Sequence, residues 1–140
     1  MIIDEVKKEK VVFVYTTVSG REEARSIGLA SVEEKLAVCA DFWAISSIYP
    51  WENVIQDVDQ YMLVLTTEKS LAEKLVNFVA GIHSYTVPVV AACDVGFMHA
   101  PYLFWVDKTL KDKANYLSTD DEKKIQEDIE ADGYHPGKLK

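Results

Sequence analysis

Apolar positions along the chain alternate between two spacings, one that suits strands and one that suits helices. Val11-Val12-Phe13-Val14-Tyr15-Thr16 is a compact run of β-branched and aromatic residues, which predicts a first strand. Ser19-Gly20 breaks it. A helix follows with Glu22 and Glu23 in its first turn, where carboxylates complement the helix dipole. Ala24, Gly28, Val32 and Leu36, four apart and flanked by Ile27 and Leu29, supply its buried row. Val38 to Tyr49 then reads as a second strand, Pro50 to Asp59 as a polar corner, and Gln60 to Thr67 as a third strand. The third strand holds Tyr61-Met62-Leu63-Val64-Leu65, and a run apolar on both faces needs cover on both. A second helix from Glu68 or Ser70 to Val79 carries Leu71, Leu75, Phe78, Val79 and Ile82 on one side, with Gly81 as its stop. Val87 to Val95 predicts a fourth strand, and Pro88, lacking an amide donor, belongs at an edge or a strand start. Pro101 to Leu110 reads as a short helix whose apolar side is Tyr102, Leu103, Trp105 and Val106.

The order β-α-β-β-α-β plus a short helix is the split βαβ pattern of a ferredoxin-like α+β sandwich. It places four antiparallel strands in one sheet and both long helices on one face. The other face is then left for a partner subunit. Residues 1–110 form the folded domain on this reading. Residues 111–140 change character: they are charged and almost free of aromatics, a solvated extension. Within it Thr119 and Glu122 make a capping box, and Ile125 and Ile129 share one side of a short helix that Gly133 ends. The extension is the place to look for a protein partner.

Composition narrows the function. At 140 residues the chain is long enough to bury one core without disulfides or a structural metal. Its net charge of −8 argues against nucleic acid and against an anionic membrane surface, since both need a clustered basic footprint. The first residues lack the apolar stretch of a secretory signal and nothing approaches the length of a membrane span, so the expected location is the cytoplasm. Cys39 and Cys93 then read as two reduced, buried thiols. His83, His99 and His135 show no metal-ligand spacing with each other or with cysteine. Taken alone, His83 reads as a part-buried imidazole at a subunit junction. Glu52, Asp57 and Asp59 crowd the polar corner as a solvated turn able to hold a divalent ion only loosely. No G-x-S-x-G and no glycine-rich phosphate loop is present, so no enzyme is expected.

Several segments then occur together in order: Val14-Tyr15-Thr16-Thr17, Glu33 to Cys39, Ser47-Ile48-Tyr49-Pro50-Trp51-Glu52, Leu65-Thr66-Thr67, Ile82 to Pro88, and Pro101 to Val106. Together they resemble the CutA divalent-cation-tolerance family over roughly residues 11 to 110. The resemblance implies a ferredoxin-like protomer in a PII-like homotrimer, a non-catalytic role in copper-type divalent-cation tolerance, and weak binding of copper or another divalent cation. It places Tyr49, Trp51, Glu52, His83 and Tyr85 in an intersubunit cleft and offers His83 as a metal ligand. The chain departs from the family pattern at Leu65 and Val89, where charged residues are usual, at Ser84, where proline is usual, and at Tyr15 and Ile82, where copper-binding members carry ligands. Two other readings stand beside it: a PII-like sensor holding a small molecule in that cleft, and a trimeric scaffold for a protein partner.

Overall fold

A computed structural model describes residues 10–112 and 116. The elements are β1 (Val11–Val18), α1 (Arg21–Glu33), β2 (Cys39–Trp51), β3 (Val54–Glu68), α2 (Lys69–Ile82), β4 (Val90–Asp94) and α3 (Ala100–Lys111). The four strands form one sheet in the order β2-β3-β1-β4, antiparallel throughout. Val14 at its centre sits opposite Leu65 on one side and Ala92 on the other.

Strand alternation sorts the side chains into two layers. Val12, Val14, Val18, Leu63 and Leu65 point to one face, where Ala24 and Ile27 of α1 and Ala72, Leu75 and Val79 of α2 close the core over them. Helix α1 approaches so closely at Gly28 that a Cβ there would lie 2.8 Å from the Ala40 Cβ. Its end is fixed by two backbone bonds, Lys35 N–H to the Val32 carbonyl and Leu36 N–H to the Ser31 carbonyl. That closure requires a left-handed residue, here Lys35 at φ 58°. Helix α3 packs at one end of the opposite face, where Val106 meets Val11 and Val38 with Tyr102, Leu103 and Trp105 around them.

Several boundaries differ from the sequence reading. The stretch Pro50 to Asp59 is not a polar corner. It is the end of β2, a two-residue turn and the start of β3. Glu52 (φ 50°) and Asn53 (φ 65°) are both left-handed, as a type I′ hairpin turn demands. Pro50 is tolerated because β2 is an edge strand. Beyond the Val18–Tyr61 pair β1 has ended, so residues 45–51 and 54–60 continue as a two-stranded ribbon. Helix α2 runs through Gly81 to Ile82, and β4 begins only at Val90. In α1 the buried set is Ala24, Ile27, Gly28 and Ser31, whereas Leu29 faces solvent and Leu36 lies past the helix end. The cysteines are free, but not both buried: Cys39 is partly covered and Cys93, on the edge strand, is exposed. Of the proposed extension only Lys111, Asp112 and Tyr116 are described, and Lys111 belongs to α3. The capping box and helix expected at Thr119 to Gly133 lie outside the described residues.

Candidate functional site

The ribbon and the segment after α2 face each other across a groove of about 830 Å³. Tyr49 and Trp51 from β2, Gln60 from β3, and Ser84, Tyr85 and Val87 from the α2–β4 connection are among its walls. Three of the five cleft residues expected from the sequence are therefore brought together: Tyr49, Trp51 and Tyr85. Glu52 is not among the lining residues; it sits in the hairpin turn, exposed. His83 is not among them either and stands next to Tyr85, ring centroids 4.9 Å apart.

His83 is committed on both ring nitrogens. The Tyr85 amide donates to Nδ1 at 3.0 Å, so the neutral ring carries its proton on Nε2. Nε2 lies 3.0 Å from the Thr17 carbonyl, which it can donate to, and 3.0 Å from Thr16 Oγ1. The imidazole thereby ties the end of α2 to β1 and fixes where Tyr85 begins. Tyr85 in turn donates its hydroxyl to Gln60 Oε1 at 2.8 Å. Burial, with Tyr49 and the Glu23 charge nearby, pushes the Tyr85 phenol above its ordinary value.

Behind the groove wall lies a carboxylate that the sequence reading gave only a dipole role. Glu23 Oε1 accepts from the Ser19 amide (3.0 Å), the Ser19 hydroxyl (2.9 Å) and the Ser84 hydroxyl (2.8 Å). Its Oε2 accepts from the Ser84 amide at 2.9 Å. Partial burial alone would raise this carboxyl, but the donors from Ser84 and Ser19 together outweigh it and hold the group down at about 2. Serine at position 84 is what makes the bond available, since proline there would offer neither donor. Gln60 was the other unrecognised participant. Its signal was a polar residue starting an otherwise apolar strand, and it is 6 % exposed.

Metal chemistry finds little to work with. Among the described residues there is no group of three or more His, Cys, Asp or Glu able to hold an ion. Tyr15 is an interior residue of β1, and Ile82 ends α2. The Cys39 thiol is pushed up to about 11 by burial and by Asp41, whose carboxylate it contacts at 3.4 Å, so it is a poor source of thiolate.

The CutA1 divalent ion tolerance protein family model matches residues 12–109. The divalent-cation tolerance protein CutA of Thermus thermophilus is 38% identical over 100 residues, covering 70% of this chain and 94% of that protein. The chloroplastic protein CutA of Arabidopsis thaliana is 34% identical over 101 residues, 71% of this chain. The match spans only 56% of that plant relative, about half its length. The solved structure of the periplasmic divalent cation tolerance protein CutA from Archaeoglobus fulgidus gives a TM-score of 0.70 at 29% identity, covering 72% of this chain and 99% of that one.

Proposed function

The chain belongs to the CutA1 divalent ion tolerance family, and on that premise we propose that it serves copper-type divalent-cation tolerance as a non-catalytic, cytoplasmic homotrimer. The observation that carries this reading is the family match itself, which runs from β1 into α3 and so takes in every element of the fold. Assembly is supported separately. Ile48 at 73% exposed and Ile55 at 75% sit on the free ribbon, and apolar strands left uncovered invite pairing. Closed cyclic symmetry covers them without building a filament.

No step of this role is routed through a metal inside one protomer, because the donors among the described residues do not fit one. An ion on His83 would have to displace the Tyr85 amide from Nδ1 or strip the proton from Nε2. The test has two arms. Expressing the chain in cells that lack their own family member should restore growth in toxic copper; unaltered sensitivity rejects the proposed role. Titrating purified protein with copper, beside His83→Ala, should give the same weak isotherm for both. A tight site lost in the variant would place the metal at His83 after all. Light scattering at micromolar concentration should return three times the 15.8 kDa protomer mass, and a stable monomer excludes the trimer.

A second reading has its own support. The groove is walled by aromatic side chains with a few fixed polar groups, the usual make-up of a small-ligand site. On this reading the chain senses a small molecule between subunits, and a ligand would perturb Tyr49, Trp51 and Tyr85 without any metal response. A scaffold role through residues 111–140 would give neither signal and would show as protein capture that depends on that extension.

A further inference from the structure

Glu68 ends β3 and is 3% exposed, buried within its own protomer. Burial disfavours the charged form of a carboxyl group. Its place in the sheet shows what lies against it. Val11 is its register partner on β1, and Val11 packs under Val106 of α3. The next residue of that helix is Asp107, whose carboxyl is hydrogen-bonded to Glu68. Two carboxyl groups can bond to each other only through a proton on one of them. Asp107 is half-exposed and also meets Lys111 one turn on. The Lys111 bond first, and the Glu68 bond after it, outweigh partial burial and hold Asp107 below the usual carboxylate range. Asp107 is therefore the charged acceptor, and Glu68 carries the proton.

The other titrating groups at this end of the sheet come from every element around it. Lys69 of α2 is drawn to Asp94 of β4 at 2.7 Å, and Lys10 ahead of β1 acts on the same carboxylate. Lys108 and Lys111 belong to α3. On the β2 side Cys39 faces Asp41 as a neutral thiol. Helix α3 has one fully covered residue, Val106, to hold it on the sheet. A second negative charge beside Asp107 would oppose that docking directly. We propose that the Glu68 proton is a latch: while it is held, α3 stays docked against β1 and β3, and its loss as pH rises loosens α3 together with the root of residues 111–140.

The sign follows from which state binds the proton. The folded chain keeps it on Glu68 more tightly than the unfolded chain, so this contribution is complete below the ordinary glutamate range and is lost as pH rises. Asp107, held low, loses its share only in acid. The latch is strongest between those limits. Carboxyl carbons of the full-length, ¹³C-labelled chain can be followed by NMR from acid to about pH 9. Glu68 should bind its proton at least about tenfold more tightly than an exposed glutamate. Signals of Trp105 and Val106 should move with it. Glu68→Gln keeps an N–H donor and cannot ionise, so in that variant the α3 signals should stay flat where the parent's move. Asp107→Asn removes the charge beside the proton and should weaken proton binding at Glu68 about tenfold. Ordinary titration of Glu68 overturns the proposal, and so do α3 signals that move alike in Glu68→Gln and the parent. If Glu68→Gln does not fold, Asp107→Asn decides: an unmoved Glu68 midpoint means that no proton is shared.

Discussion

A methyl group added at Gly28 would meet Ala40 Cβ at 2.8 Å, closer than carbon atoms tolerate. Both partners are stiff, one on a helix and one on a strand, so α1 itself must shift. Alanine is the better helix former by about 1 kcal/mol, yet overpacking a well-filled contact costs about 1–3 kcal/mol. The clash should win, and thermal unfolding of Gly28→Ala should show a lowered midpoint. A second expectation concerns acid. Glu23 is held at about 2 in the folded chain against an ordinary 4.5, so the unfolded state binds a proton there before the folded state does. Its stabilising contribution is complete above the unfolded value and is lost as pH falls from 4.5 towards 2. Amide exchange at Ser84 and Tyr85 should therefore accelerate across that window, after correction for intrinsic rates, and Glu23→Gln should flatten the effect. The close approach at Gly28 is legible as a glycine in the helix's buried row, whereas the Glu23 role is not visible in the linear sequence. Ser84 is 61 positions from Glu23, and only the fold brings the two loops together.

Among the elements, periodicity made the core strands and both long helices readable. Val12, Val14 and Val18 alternate as a half-buried strand should, and Leu75 and Val79 fall on one helix side. The ribbon was misread for a physical reason. Its covered face mixes polar with apolar residues, Ile45, Ser47, Gln56, Val58 and Gln60, while Asp57 and Asp59 stand on the exposed face and cost nothing there, so no clean apolar alternation marks a strand. Its turn also lacks glycine: Glu52 and Asn53 adopt left-handed backbone without it. That conformation strains glutamate most, because only glycine, asparagine and aspartate visit it readily. Glu52→Asn combined with Asn53→Gly should stabilise the hairpin by about 1 kcal/mol, read as a higher unfolding midpoint. Since Glu52 is not among the groove-lining residues, the double variant should bind any groove ligand as the parent does. The groove itself was legible in part. Tyr49, Trp51 and Tyr85 announce themselves as aromatics near polar residues, but the bonds that tie Tyr85 to Gln60 and Ser84 to Glu23 follow no local pattern.

At the scale of the whole molecule the two cysteines report on the sheet face that α1 and α2 leave open. Cys93 and Phe13 are register partners, Phe13 pairs next with Thr66, and Thr66 with Cys39, so both thiols lie in one row across the sheet. On a lone protomer Cys93 is exposed, whereas Cys39 is half covered and shifted up to about 11. A maleimide at pH 8 should label Cys93 well before Cys39 in dilute protein. If copies cover that face at higher concentration, labelling of Cys93 should slow as the concentration rises. A rate independent of concentration would leave the face uncovered.

The ribbon beyond Val18 carries a consequence for how such copies would come together. Two strands with no third beside them hold their shape only marginally in water, and this pair has β1 alongside for less than its full length. Rigidity in residues 45–60 would then be a property lent by neighbours. Dissolving the assembly by dilution should loosen this arm first, while Val14, Leu65 and Leu75 remain locked, so that separation of subunits and fraying of the hairpin become one event.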